Sequence, residues 1–214
     1  MIFYREPREQ SRTIDINDLR IGDIFYLSGT LVTGRDEVYH RVIEENISPP
    51  IDLKNAAIYH AGPIVKEITS PTPHSSLLTP HSTPDTPHYE LVSLGPTTSA
   101  RMEKWAADFI IKTGVKVMIG KGSMGEKTAA ACREYGAIHC VYPGGCAVLG
   151  ASQIENIENC FWPEFGMAEC MWVMKSRIFG PLIVSIDTKG NNLFKENSCI
   201  FNNQKEKILL RDIS

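Results

Sequence analysis

"VKVMIGKGSMGEKTAAACREYGAIHCVY", Val115 to Tyr142, decides the fold. Val115–Ile119 is apolar at every place but Lys116, the pattern of a strand buried on both faces. Met124–Gly136 predicts a helix that Gly136 stops. Ala137–Tyr142 predicts a second buried strand. Strand, helix and strand with short joints make a βαβ unit, which needs a parallel pair. Gly120, Lys121 and Gly122 join the first strand to the helix. Open α/β sheets bind ligands at such joints, and the helix amides there point at an anion. Lys121 therefore reads as an anchor for a carboxylate or phosphate, against the commoner fate of a solvated surface lysine.

The same stretch imitates a phosphate-binding loop without completing it. Gly120 and Gly125 are correctly spaced, but Glu126 holds the lysine position, and Lys127 and Thr128 follow one place late. One residue is a turn of about 100° in a helix, so both side chains would face away from a phosphate. A carboxylate at the helix start also repels an anion. The segment does not read as a nucleotide site.

Working outward, "LGPTTSARMEKW" puts Thr97, Thr98 and Ser99 ahead of an amphipathic helix. Met102, Trp105, Ala106, Phe109 and Ile110 form its apolar face, and Gly114 its stop. Thr98 or Ser99 suits the N-cap, and Thr97 and Arg101, four apart, share a face if the first turn extends that far. "LVTGRDEVYHR" turns at Thr33-Gly34 and offers Arg35, Asp36, His40 and Arg41, followed by a helix with Val38, Tyr39, Val42 and Ile43 on one face. An arginine fork matches a carboxylate two-pronged, and Asp36 stands four before His40, where it could orient the ring. "DIFYLSGTLVTG" predicts a strand pair around a Ser-Gly turn, and "AAIYHAGPIV" a strand broken at Gly62-Pro63. "MWVMKSRIF" and "GPLIVSIDTKGNNLF" predict two further strands, the second ending in a Lys-Gly-Asn-Asn turn. The fold class is mixed α/β.

One segment stands apart from this core. Thr69–His88 carries five prolines and Thr-Pro-His three times, ending at His74, His81 and His88. Proline at this density opposes helix and ladder pairing. The segment reads as a surface insertion at about 69–88 in a single 214-residue domain, with metal binding by the histidines a distant second.

A net charge of −3 leaves no footprint for nucleic acid, and no apolar run reaches membrane-span length. The charged start lacks a signal-peptide core, so the expected location is cytoplasmic. Six cysteines include no CxxC pair and no zinc-ligand spacing with histidine, so free thiols and no metal site are expected.

"TGRDEVYHR", "AGPIV", "GPTTSARM", "GKGSMGEKT", "EFGMAECMW" and "FGPLIVSIDTKGN" come in the order seen in the β subunit, or carboxy-terminal domain, of class I fumarate hydratases. The related L-tartrate dehydratases share the pattern. The chain resembles this family from about Ile14 to Phe194, with the Thr-Pro-His insertion interrupting it. Cys146 stands where a small residue is expected, and Ala168 where many members have proline. The resemblance implies a swivelling β/β/α domain in a hetero-oligomer with an α subunit that holds a [4Fe–4S] cluster through its own cysteines. It implies that Arg35, Arg101 and Lys121 bind the dicarboxylate, and that Thr97 is the base at the carbon losing its proton. Asp36 and His40 are supporting candidates. Dehydration of (S)-malate to fumarate is the expected reaction. L-tartrate dehydration and a non-catalytic binding or regulatory subunit of the same fold are the alternatives.

Overall fold

The structure is a computed structural model and describes residues 1–5, 13–68 and 88–211. Its elements run β1 (Ile2–Tyr4), β2 (Ile24–Thr33), α1 (Asp36–Ile43), β3 (Ala57–Tyr59), β4 (Ala61–Ile68) and β5 (His88–Pro96). They continue with α2 (Glu103–Thr113), β6 (Val117–Gly120), α3 (Glu126–Tyr135), β7 (Ile138–Val141), α4 (Ala147–Ser152), β8 (Ile154–Phe161), β9 (Met171–Ile186) and α5 (Leu193–Arg211). The main sheet is ordered β1-β2-β3-β6-β7-β9-β8, and β2 also pairs with β9. That extra pairing closes β2-β3-β6-β7-β9 into a five-stranded barrel. The neighbours β2–β3, β3–β6 and β6–β7 are parallel, and β9 is antiparallel to both β7 and β2. β6-α3-β7 is the βαβ unit legible in Val115–Tyr142.

Closing the sheet buries both of its faces. Ala57, Tyr59, Val117, Ile119, Ile138 and Cys140 alternate into the barrel interior, with Leu31, Phe179 and Val184. The intervening residues Ile58 and Met118 pack outward against Val38 and Tyr39 of α1 and against Trp105, Phe109 and Ile110 of α2. Two-sided burial explains why these strands read as largely apolar runs. Gly114 and Gly136, both left-handed, end α2 and α3 as their positions suggest.

Several expectations need correction. Ser28-Gly29 does not turn the chain: β2 is one strand of 10 residues, and its Ser-Gly step is a bulge against β9. The break in "AAIYHAGPIV" falls at His60, where the chain leaves the barrel; Gly62 and Pro63 lie within β4, opposite Gly95 and Leu94. The two carboxy-terminal strands are one 16-residue strand, β9, which runs through a cis Gly180–Pro181 bond and serves β8, β2 and β7 in turn. The turn after it is real. Asp187 holds it through Oδ1 to the Lys189 and Asn191 amides (2.9 and 3.1 Å).

β4 and β5 form a separate antiparallel hairpin with Ile68 opposite His88. Residues 69–87 of the Thr-Pro-His insertion lie outside the described residues, but their two flanks are a paired strand end. Removing residues 71–87 leaves Thr69-Ser70 as a two-residue link, the commonest length for a hairpin loop. The shortened chain is expected to melt within a few degrees of the full one; a large loss of melting temperature would show that the segment helps hold the fold.

Candidate functional site

The parallel strands β2, β3 and β6 end side by side, and each hands the chain to a residue of interest: Gly34-Arg35, His60 and Lys121. Backbone bonds fix this edge. The Gly34 amide donates to the Tyr59 carbonyl (3.0 Å) and the His60 amide to the Ile119 carbonyl (2.7 Å). Thr97 arrives from β5 and adds itself to the same edge, donating from its amide to the His60 carbonyl at 2.6 Å and accepting from the Lys121 amide at 3.0 Å. Thr97 is half-buried and Lys121 exposed.

The two arginines flank this core and are already partnered. Arg35 places Nη2 2.8 Å from Glu169 Oε1 and donates from Nη1 to the Ala168 carbonyl at 3.3 Å. It lies so close to Gly62 that a Cβ there would stand 2.5 Å from Nη1. Its Nε is buried without a partner. Burial raises the Glu169 carboxyl above its ordinary range, with Arg35 opposing the shift. Arg101 pairs with Asp36, donating from Nε to Oδ1 at 3.2 Å with Nη2 2.7 Å from Oδ2. Half the Arg101 side chain is exposed, and an exposed pair is worth only about 0–1 kcal/mol, so a ligand carboxylate can compete for it. Lys121 makes no ion pair among the described residues.

Arg35, Thr97, Arg101 and Lys121 thus share one edge. His40 does not join them. Its ring faces Glu44 (3.4 Å) and Glu45 (3.2 Å) at the far end of α1, while Asp36 pairs with Arg101. Asp36 supports Arg101 instead. The N-cap expectation also fails in its detail. A 3-10 turn, Ser99–Met102, precedes α2; Thr98 stands at its cap position without a side-chain bond, and the Ser99 hydroxyl points inward.

Ser99 belongs to a polar chain that sequence reading missed. Tyr39 Oη lies 2.7 Å from His60 Nε2, His60 Nδ1 2.9 Å from Ser99 Oγ, Ser99 Oγ 2.9 Å from His139 Nε2, and His139 Nδ1 2.5 Å from Ser185 Oγ. All five residues are fully buried between sheet and helices. Burial lowers the His139 imidazole to about 3 and His60 well below its ordinary value, so both are neutral. The available signal was a histidine inside each of two apolar strands, since a buried polar group must find a partner.

The glycines of the "GKGSMG" joint now have their explanation. A Cβ on Gly120 would overlap Ser99 Oγ outright and stand 3.0 Å from His60 Nδ1. Gly125 makes room for Glu103, whose carboxylate accepts from the Gly125 amide (2.6 Å), the Thr128 hydroxyl (2.6 Å) and the Thr128 amide (3.4 Å). The start of α3 is thus already filled by an anion of this chain, which physically opposes a phosphate there. Among the described residues, no three His, Cys, Asp or Glu side chains are grouped to hold a metal ion, and all six cysteines are free. No helix among them is long and apolar enough to cross a membrane.

Comparison with known proteins agrees with this geometry. A family model described as "Fumarase C-terminus" matches residues 7–197. The β subunit of L(+)-tartrate dehydratase from Shigella boydii serotype 4 (strain Sb227) is 46% identical over 195 residues, spanning 91% of this chain and 89% of that one. A Methanocaldococcus jannaschii protein provisionally named as the same subunit is 37% identical, over 85% of this chain and 87% of its own. A Geobacillus stearothermophilus protein provisionally named a class I fumarate hydratase is 32% identical over 85% of this chain, which is 32% of that protein's length.

Gly120→Ala should cost several kcal/mol of stability, because the added methyl has only a buried, fully bonded hydroxyl to displace; about 1–3 kcal/mol is usual for overpacking, and a broken buried bond adds to it. Urea denaturation of the purified variant checks this. The histidines set a pH dependence of known sign. Their folded values lie below the unfolded value near 6.5, so the unfolded chain binds more protons, and stability is full above that pH. It falls as pH drops through 6.5 toward the folded value, about 3 for His139. Melting temperature should fall between pH 7 and 4.5, and less steeply in His139→Gln.

Proposed function

The chain belongs to the fumarase C-terminus family, and from that membership we propose that it is the β subunit of an iron–sulfur hydro-lyase that removes water from a 2-hydroxydicarboxylate. The substrate is L(+)-tartrate or (S)-malate. We read the chain as one swivelling β/β/α domain with an insertion, working in the cytoplasm in a hetero-oligomer with an α subunit. The reading is carried by the placement of Arg35, Thr97 and Lys121 just after strand ends on one edge, with Thr97 bonded through its backbone to His60 and Lys121 and Arg101 on the turn that follows. A [4Fe–4S] cluster needs about three or four thiolates converging on one point, and no three cysteines are so grouped among the described residues. The cluster therefore falls to the α subunit, where it would act as a Lewis acid toward the departing hydroxyl.

This chain's share of the chemistry follows from its charges. Arg35 offers a buried Nε and a fork held in place by Ala168 and Glu169; Arg101 can exchange Asp36 for a substrate carboxylate. Thr97 takes the proton from the carbon beside one carboxylate. The electron pair left on that carbon spreads into the carboxylate as the hydroxyl leaves the neighbouring carbon. Charge builds where the fixed cations already point, so they stabilise the transition state more than the ground state. A threonine oxygen accepts a proton only as its alkoxide, so the hydroxyl must first give its own proton to solvent, a loss that cationic side chains such as Lys121 and Arg101 on the same edge would make less costly.

Between the two substrates, 46% identity to a tartrate dehydratase subunit against 32% to a provisional fumarase favours tartrate. The chain alone should turn over neither. Reconstituted with its α subunit, it should convert one at least tenfold faster than the other, and that ratio assigns the substrate. In the same assembly Lys121→Ala should raise KM and lower kcat/KM by about two orders of magnitude without lowering the melting temperature. Thr97→Ser should keep far more kcat than Thr97→Val. An active Thr97→Val enzyme would remove Thr97 from the chemistry.

A further inference from the structure

The buried chain from Tyr39 to Ser185 can be assigned proton by proton. Ser185 Oγ donates its only proton to the His139 carbonyl at 3.0 Å. His139 Nδ1 must therefore donate to Ser185 Oγ, and in a neutral ring its Nε2 is then an acceptor. The proton it accepts is that of Ser99. With its proton given away, Ser99 Oγ can only accept from His60, so His60 also carries its proton on Nδ1. His60 Nε2 then accepts from Tyr39. Every bond points one way, from Tyr39 to the His139 carbonyl, and every donor and acceptor is used. Protonating His139 would set an N–H against Ser99 from both sides and strand the serine proton; protonating His60 would set its Nε2–H against the Tyr39 hydroxyl and strand the tyrosine proton.

This chain also meets the site's backbone in a closed ring. Thr97 donates from its amide to the His60 carbonyl (2.6 Å), and His60 Nδ1 donates to Ser99 Oγ (2.9 Å). The Ser99 amide donates to the Lys121 carbonyl (2.9 Å), and the Lys121 amide donates back to the Thr97 carbonyl (3.0 Å). Three segments far apart in sequence are tied by four bonds, of which one is supplied by a side chain and depends on a histidine tautomer.

We propose that His60, Ser99 and His139 are positioning residues: their one-directional hydrogen-bond chain locks the Thr97 and Lys121 backbones in register with each other at the strand edge. The consequence for turnover rests on the functional reading above; the lock itself does not. A core that merely tolerates buried polar groups would leave the edge unchanged when the chain is cut, whereas a lock would loosen Thr97 and Lys121 together.

Nitrogen-15 correlation spectra of the full chain should show both buried histidines as neutral Nδ1–H tautomers. In Ser99→Ala, amide hydrogen exchange at Thr97 and Lys121 should quicken about tenfold or more, as for loss of one buried bond, while exchange at Cys132 within α3 stays within about threefold. His60→Asn, whose side-chain amide can still donate to Ser99, should keep that protection, and His60→Leu should lose it. In the assembly with the α subunit, Ser99→Ala should lower kcat about tenfold or more, with KM changed far less. An Nε2–H tautomer at either histidine overturns the assignment and needs no variant to fold. Unchanged exchange at Thr97 and Lys121 in a folded Ser99→Ala overturns the lock. If the unmodified assembly turns over neither malate nor tartrate, the functional reading falls, and the tautomers and exchange rates still judge the lock.

Discussion

The ring of hydrogen bonds through Thr97, His60, Ser99 and Lys121 is the constraint on which the rest of the edge depends. An apolar layer between sheet and helices would be the cheaper construction, since every buried polar atom must be matched or cost about 1–3 kcal/mol. Here the matching is complete, and it joins the ends of β3, β5 and β6 at one point. The requirement reaches back into the sequence. Gly120 has no side chain because the Ser99 hydroxyl occupies its space. A loop that looks built for phosphate is shaped by a serine from the neighbouring helix and by the Glu103 carboxylate.

Barrel closure supplies the second constraint. With β2 bonded to both β3 and β9, neither face of the parallel strands meets water, and the site can form only at their carboxyl ends. The helix α1 and the 3-10 turn before α2 start at that end, adding the positive ends of their dipoles to the cations there, while the start of α3 is taken by Glu103. Arg35, Thr97 and Lys121 each occupy the first positions after a strand, where backbone position is set by the sheet and the side chain is still free to reach outward.

What could be read in the sequence followed from local periodicity. Val115–Tyr142 was legible because two-sided burial makes the strands largely apolar, and α1 and α2 because their buried residues recur at helical spacing. β8 was not anticipated, and its residues show why. Ile154, Ile157 and Cys160 recur every third place, since irregularities in pairing between Ile154 and Asn156 and between Ile157 and Asn159 turn a period of two into three. β9 read as two strands because Gly180-Pro181 usually ends one, yet this strand continues by changing partners. Arg35, Thr97, Arg101 and Lys121 stood out beside glycine turns. His60, Ser99 and His139 did not. The two histidines are lone polar residues in apolar stretches and Ser99 read only as a cap; the three lie 39 or 40 positions apart along the chain, and only the folded sheet brings them together.

The pairing of Arg35 with Glu169 and of Arg101 with Asp36 shapes how the edge looks to a distant molecule. Each arginine's charge is cancelled locally, and the whole chain carries a net charge of −3. A dianion therefore feels little pull beyond about 8–10 Å, the screening distance in physiological salt. Lys121 provides the unmasked attraction at close range. Encounter is governed by diffusion and shape, not by long-range steering, so capture should be nearly insensitive to ionic strength. On the proposed reading, the arginines are released only to a ligand that fits well enough to take the place of their own carboxylates, and other anions pass by.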